Sequence, residues 1–172
     1  MTPIVAFYRG TGPDAAGRTI HQVWSMDDLH LEAVHDYIQW LFPTRKPSAF
    51  NADAPMLTNA AIAALRALPD FREWLLRSLD VMLGFYGLRR LEDEGAVRIE
   101  PTPDLATRGP AWWDSGNHNH LRLTRIISSL HELGSQDEAA ALYGGLELVR
   151  REWATGISER TIAYWAAATK EG

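Results

Sequence analysis

Between Asn117 and Trp153 two amphipathic runs stand end to end, separated by Gly134 and Ser135 alone. In the first, Leu123, Ile126, Ile127, Leu130 and Leu133 fall on one face at about 100° per residue. In the second, Ala139, Leu142, Tyr143, Leu146 and Val149 do the same. A join this short between helical runs leaves an antiparallel helical pair as the framework that the rest of the chain must fit. Gly134 suits a helix stop, and Ser135 with Glu138 three residues on reads as a capping box for the second run. Gly144 and Gly145 in mid-helix each cost roughly 1 kcal/mol relative to Ala, which predicts a close helix contact there.

The remaining punctuation predicts further helices. Ser25 with Asp28 resembles a capping box, and Leu31, Val34, Ile38 and Leu41 recur at helical spacing, so one helix is expected from about Asp27 to Phe42, ended by Pro43. Thr58 caps a short helix to about Leu68. Pro69 suits the first turn of the next, whose stripe is Phe71, Leu75, Leu79, Met82 and Tyr86, with Gly87 as its C-cap. Ser158 caps a last helix that ends near Lys170. Between these lie a glycine-bearing loop from Phe7 to Arg18, a proline-rich loop from Pro43 to Pro55 with Phe50 as a plug into the core, and a charged excursion from Arg89 to Pro110 with at most one short strand or hairpin. The expected architecture is one mainly α domain over residues 1–172, a bundle of five to six helices with long ordered loops.

Composition narrows the function classes. With 46% apolar and 23% charged residues the chain has the balance of a globular protein rather than a disordered one. At 172 residues it buries roughly 70% of its unfolded surface, enough to stand without staples. No cysteine is present, which removes disulfide frameworks, thiolate metal sites and cysteine nucleophiles. No apolar run approaches the ~20 residues of a membrane span, and the N-terminus does not read as a secretory signal, so a cytoplasmic location is expected. A formal charge of −5 argues against broad nucleic-acid binding.

The strongest local constellation runs from Gly116 through Asn117, His118, Asn119 and His120 into Leu121-Arg122-Leu123-Thr124-Arg125. His118, Arg122, Arg125 and Ser129 share a face separate from the apolar one, so a basic ladder begins at a helix N-terminus, where backbone N–H groups and the dipole favour an anion. Two guanidiniums one turn apart suit a phosphate or carboxylate. The competing reading has Asn117 capping the helix and the arginines pairing with surplus carboxylates. His118 and His120, two apart, point away from each other on a helix and make a poor metal pair; no metal or cofactor is expected. Trp112-Trp113, in the loop before this helix, either wall a ligand pocket or pack over the helix end. Tyr8-Arg9-Gly10-Thr11-Gly12 offers a weak phosphate cradle or, more simply, an arm docked by its aromatics. His35 and Asp36, adjacent on a helix, do not face each other, and no nucleophile motif completes a relay.

Taken together and in order, Phe7-Tyr8-Arg9-Gly10, the run from His35 to Pro43, Ser48 to Asn51, Gly116 to Arg122 with Thr124 to Ile126, and Ile157 to Arg160 with Tyr164-Trp165 resemble the conserved region of the opioid growth factor receptor family over about residues 7–165. The resemblance implies a non-enzymatic, receptor-like domain, unrelated to seven-helix opioid receptors. In animals such domains are associated with met-enkephalin binding, growth regulation and the nucleus or its envelope, and family-level descriptions carry the words receptor and membrane. The chain ends at Gly172 without a long repetitive extension or basic targeting run, so a short bacterial member is the expected form.

The reading that follows is a module for a peptide or small anionic ligand. Its site would join Tyr8 and Arg9 to Trp112, Trp113, Asn117, His118, His120, Arg122 and Arg125. The rivals are an enzyme acting on a phosphorylated or nucleotide-like substrate, with a histidine as acid–base, and a helical interaction protein or homo-oligomer.

Overall fold

Pro3 opens a helix that the sequence reading does not include, and it takes in Phe7 and Tyr8 at the start of the expected loop. In the computed structural model, which describes residues 1–170, α1 spans Pro3–Tyr8 and ends at Gly10, whose φ of +72° only glycine adopts at no steric cost. The Gly10-Thr11-Gly12 segment is therefore the stop signal of α1. Thr11 and Gly12 both donate their backbone N–H to the Ala6 carbonyl, and Gly10 donates to Phe7, so these donors are spent on the helix end.

The helices that follow are shorter and more numerous than the hydrophobic spacing predicts. α2 is Ile20–Trp24, with a capping box made by Thr19 and Gln22. α3 is Asp28–Ala33, capped by Asp27, which accepts the His30 N–H; Ser25, expected to cap here, closes α2 instead. α4 is Ile38–Leu41. The single helix expected from Asp27 to Phe42 is thus broken at residues 34–37, and the reason is local chemistry. Val34 is extended, Tyr37 swings its hydroxyl to the Leu31 carbonyl at 2.8 Å, and Asp36 leaves the helical path to meet Arg18 at 2.6 Å. Arg18 also holds Asp14 at 2.6 Å, so one guanidinium fixes the loop after α1 to the α3–α4 break. The loop from Pro43 is closed at its base by Thr44 and Met56, with the Leu57 N–H donating to the Thr44 carbonyl. Phe50, expected as a core plug, is 84% exposed at its tip.

α5, Asn59–Arg66, starts at Thr58 as expected, and α6 runs over Phe71–Tyr86. The chain gathers into two compact units, one of residues 1–81 and one from Met82 onward, with the division inside α6. In the first unit α1 packs on α5, and Tyr8, Phe71, Phe7 and Trp40 meet edge to face in its interior.

In the second unit Gly87, at φ +76°, ends α6 and hands the chain to an antiparallel hairpin, β1 Leu88–Asp93 and β2 Ala96–Pro101, in register Leu88 to Pro101. Arg89 lies opposite Glu100 and pairs with it at 2.7 Å. A short α7, Leu105–Arg108, and a 3₁₀ turn, Gly109–Ala111, lead into α8, Asn119–Leu133. α9, Gln136–Glu152, returns against α8 after Gly134 (φ +94°), which is the helical pair the spacing predicts. Ser135 makes no side-chain cap, so the expected capping box is not formed. α10, Glu159–Ala168, is capped by Ser158 as expected and packs on α8 and α9. The close approach predicted at the paired glycines is real at Gly145 but is made with a strand: a Cβ there would lie 2.6 Å from the Ile99 carbonyl oxygen. Gly144 faces open space.

The protein is mainly α, as read from the sequence, but the described residues hold ten α-helices and a two-stranded sheet rather than five to six helices. Among them no helix is long and apolar enough to cross a membrane.

Candidate functional site

The basic ladder lies on α8, and the first turns of that helix are built on Asn119 rather than on an open anion cradle. Asn117 makes the entry: its Oδ1 accepts the Asn119 N–H at 3.0 Å, its carbonyl accepts the His120 N–H at 3.0 Å, and its Nδ2 donates to the Ala111 carbonyl at 2.9 Å. The Leu121 N–H goes to the His118 carbonyl at 3.2 Å. The donors that the sequence offers to an anion at this helix start are thus taken by the turn before it.

Asn119 itself is fully buried. Its Oδ1 accepts both the Tyr86 hydroxyl and an Arg122 Nη1–H, each at 3.3 Å, and its Nδ2 lies 3.4 Å from His118 Nε2. Arg122 is only 5% exposed. The expected two-guanidinium grip is therefore corrected: Arg122 is an interior residue of a polar network, because the stretch of this face around Asn119, Arg122 and Ser129 is covered in the folded unit while His118 and Arg125 are not fully buried. Ser129 is likewise fully buried. Arg125 is partly buried, and its pKa is lowered by that burial while the Glu132 carboxylate pulls the other way.

Two indoles frame the network. Trp112 is 1% exposed and donates Nε1–H to the Tyr86 carbonyl at 3.1 Å, with the two rings edge to face at 5.5 Å. Trp165, fully buried, donates Nε1–H to the His120 carbonyl at 3.1 Å and meets the His120 ring edge to face at 5.5 Å. Of the adjacent tryptophans it is Trp113 that stays partly exposed; its ring presses on Gly109, where a Cβ would come within 2.3 Å of it. His118 is exposed. In the first unit Tyr8 is 2% exposed with its hydroxyl donated to the Leu41 carbonyl, and burial raises its pKa. Arg9, on the C-cap of α1, is exposed.

Beyond the residues singled out above, Asn119, Tyr86 and Trp165 hold the arrangement together. Asn119 stands in the quoted motif and Trp165 at an apolar position, yet no spacing signal ties either to Tyr86, which is 33 residues from Asn119. Among the described residues no group of three His, Asp or Glu side chains is arranged to hold a metal ion.

Residues 7–170 match the model of the opioid growth factor receptor conserved region. The chain belongs to the opioid growth factor receptor family. It is 36% identical to the human opioid growth factor receptor over 98% of its own length and 25% of that protein's, and 41% identical to the rat receptor over 72% and 21%. The mouse opioid growth factor receptor-like protein 1 is 33% identical over 64% of the chain and 23% of its own length. The chain thus spans about a quarter or less of these relatives. No solved structure matches it.

Within this conserved region His120 makes stability depend on pH near neutrality. It is 5% exposed, and neither ring nitrogen makes a well-formed hydrogen bond, the Trp112 backbone being the polar group set against the ring. Burial lowers its pKa; the Trp112 backbone and Asp114 carboxylate oppose that, and His118 adds to it. An unfolded chain takes up the His120 proton near pH 6.5, whereas the folded chain resists until lower pH, so stability falls with pH below about 6.5. We expect urea midpoints to decline from pH 7 to pH 5, at up to ~1.4 kcal/mol per pH unit for this proton. His120→Phe should flatten that decline. Equal slopes in parent and variant would assign the acid sensitivity to another group.

Proposed function

We propose that the chain is a non-enzymatic binding module that takes a peptide or small anionic ligand along the outward side of α8, and that it works in the cytoplasm. The observation that carries this reading is the match to proteins named opioid growth factor receptor over nearly the whole chain. The geometry supports it in a narrower form than the sequence suggests. His118 and Trp113 stand toward solvent, and Arg125 lies about 10 Å along the same helix face from His118. Arg122, Asn119 and Trp112 are the scaffold beneath them.

A ligand at a hundred times its Kd stabilises the folded state by about 2.7 kcal/mol, which for a chain of this size raises Tm by about 5–10 °C. We expect such a rise with inorganic phosphate or with short acidic peptides, and its loss in the His118→Ala, Arg125→Ala double variant. A rise from these probes that persists in the double variant, or none in either protein, would overturn the site. Turnover of a phosphorylated substrate that disappears in His118→Ala would overturn the non-enzymatic reading.

A further inference from the structure

The first unit carries an aromatic and cationic cluster that the α8 reading does not use. Trp24, on α2, and Trp74, on α6, meet at 5.5 Å with planes at 74°, and the His21 ring closes the group at 5.0 Å from Trp24 and 5.1 Å from Trp74. The Arg77 guanidinium lies over Trp24, 4.8 Å from its centroid. Ser78 locks the arrangement, accepting the Trp24 indole N–H at 2.9 Å and donating to the Trp74 carbonyl at 3.0 Å. Gly10 lets the α1 C-cap lie against the far edge of Trp74, where a Cβ would sit 2.9 Å from Cη2.

The cluster faces outward. His21 and Arg77 are exposed and both indoles are partly exposed. Among the described residues Arg77 and the His21 ring have no carboxylate partner, and Trp74 Nε1–H has no acceptor. That is unexpected in a chain with 22 acidic against 17 basic residues, where Glu73 stands one turn before Arg77 on the same helix. A preordered patch of indole surface with a guanidinium, an imidazole and an indole N–H beside it presents π faces and an excess of donors over acceptors. What complements it is a planar ring carrying an anion about one ring-width away.

We propose that His21, Trp24, Trp74 and Arg77 form a binding site for a nucleotide, with the base against the indoles and the phosphate on Arg77. A phosphate, with three oxygens, uses the Arg77 fork and the neighbouring N–H donors together better than a carboxylate does. Base–indole stacking is tolerant of which base is bound, so the selectivity lies in the phosphate. The site is in a different unit from the α8 surface and stands or falls independently of it.

The test is an NMR titration of the full chain, following the indole N–H signals of Trp24 and Trp74, assigned with Trp24→Phe and Trp74→Phe. AMP, adenosine, inorganic phosphate and N-acetyltryptophan are added separately. AMP is expected to move both signals saturably, with adenosine and phosphate each weaker. Arg77→Gln should reduce AMP affinity about tenfold, as loss of one charge-assisted contact predicts, and change adenosine affinity much less. His21→Ala should weaken AMP and adenosine alike. An absence of saturable movement with AMP, equal AMP affinity in Arg77→Gln, or tighter binding of N-acetyltryptophan than of AMP would each overturn the proposal. Arg77 and His21 are surface residues, so the unchanged remainder of each spectrum reports that the variants are folded.

Discussion

Replacing Asn119 with Leu is expected to destabilise the protein by about 3–4 kcal/mol, and to lower Tm by about 10 °C in a thermal melt. Leu has the heavy-atom branching of Asn with bulkier methyl groups, so no cavity is left behind and the loss combines the missing hydrogen bonds with some overpacking. Asn119 Oδ1 is the acceptor shared by the Tyr86 hydroxyl and by Arg122 Nη1–H, all within a region where Asn119 and Tyr86 are fully buried and Arg122 is 5% exposed. Removing an acceptor from a buried hydroxyl costs about 1–3 kcal/mol, and more when the other donor is charged. Asn119→Asp keeps the acceptor and sets a carboxylate beside Arg122, so its cost should be clearly smaller. If Leu and Asp lower the melting temperature equally, the shared acceptor is not what holds this network.

The same network shows what helical periodicity can and cannot reveal. A helical wheel places His118, Arg122, Arg125 and Ser129 on one face, and that is where they are. What the wheel lacks is the element that covers the middle of that face at Arg122 while His118 stays exposed. Arg122 is in the interior because Tyr86, from a different helix, reaches Asn119 beside it. Trp112 and Trp113 are adjacent and chemically identical, yet one donates to the Tyr86 carbonyl in the interior and the other stays partly exposed on Gly109. Contacts made across tens of residues leave no mark in local spacing.

Punctuation was legible where a single residue decides the backbone. Gly87, Gly134, Thr58 and Ser158 end or begin the helices expected of them, because caps depend on one φ value or one side-chain acceptor. It failed where a polar side chain had a better partner elsewhere. The apolar stripe through Leu31, Ile38 and Leu41 is buried as expected, but Asp36 and Tyr37 exchange the helical path for Arg18 and the Leu31 carbonyl. Gly145 signalled a close approach correctly without saying that β2, rather than a helix, makes it.

Gly87→Ala is expected to cost about 3 kcal/mol, read as a lower urea midpoint with an unchanged m value. Two independent terms add at this position. Its φ of +76° carries a penalty of about 1–2 kcal/mol for a residue with a Cβ. The added Cβ would also lie 2.7 Å from the Leu105 Cα and 2.8 Å from its N, which are backbone atoms and cannot rotate aside. Leu105 is fixed in turn: its N–H donates to the Thr102 carbonyl, while Thr102 gives both its N–H and its hydroxyl to the Gly87 carbonyl. Relief of the clash would therefore open the closed ring of contacts that joins the end of α6 to the end of the hairpin. Gly95, also at positive φ (+82°) but with open space around its Cβ, isolates the first term, and Gly95→Ala should cost only the conformational part. Equal losses at the two positions would mean that the approach of Leu105 contributes nothing and that the packing argument at Gly87 is wrong.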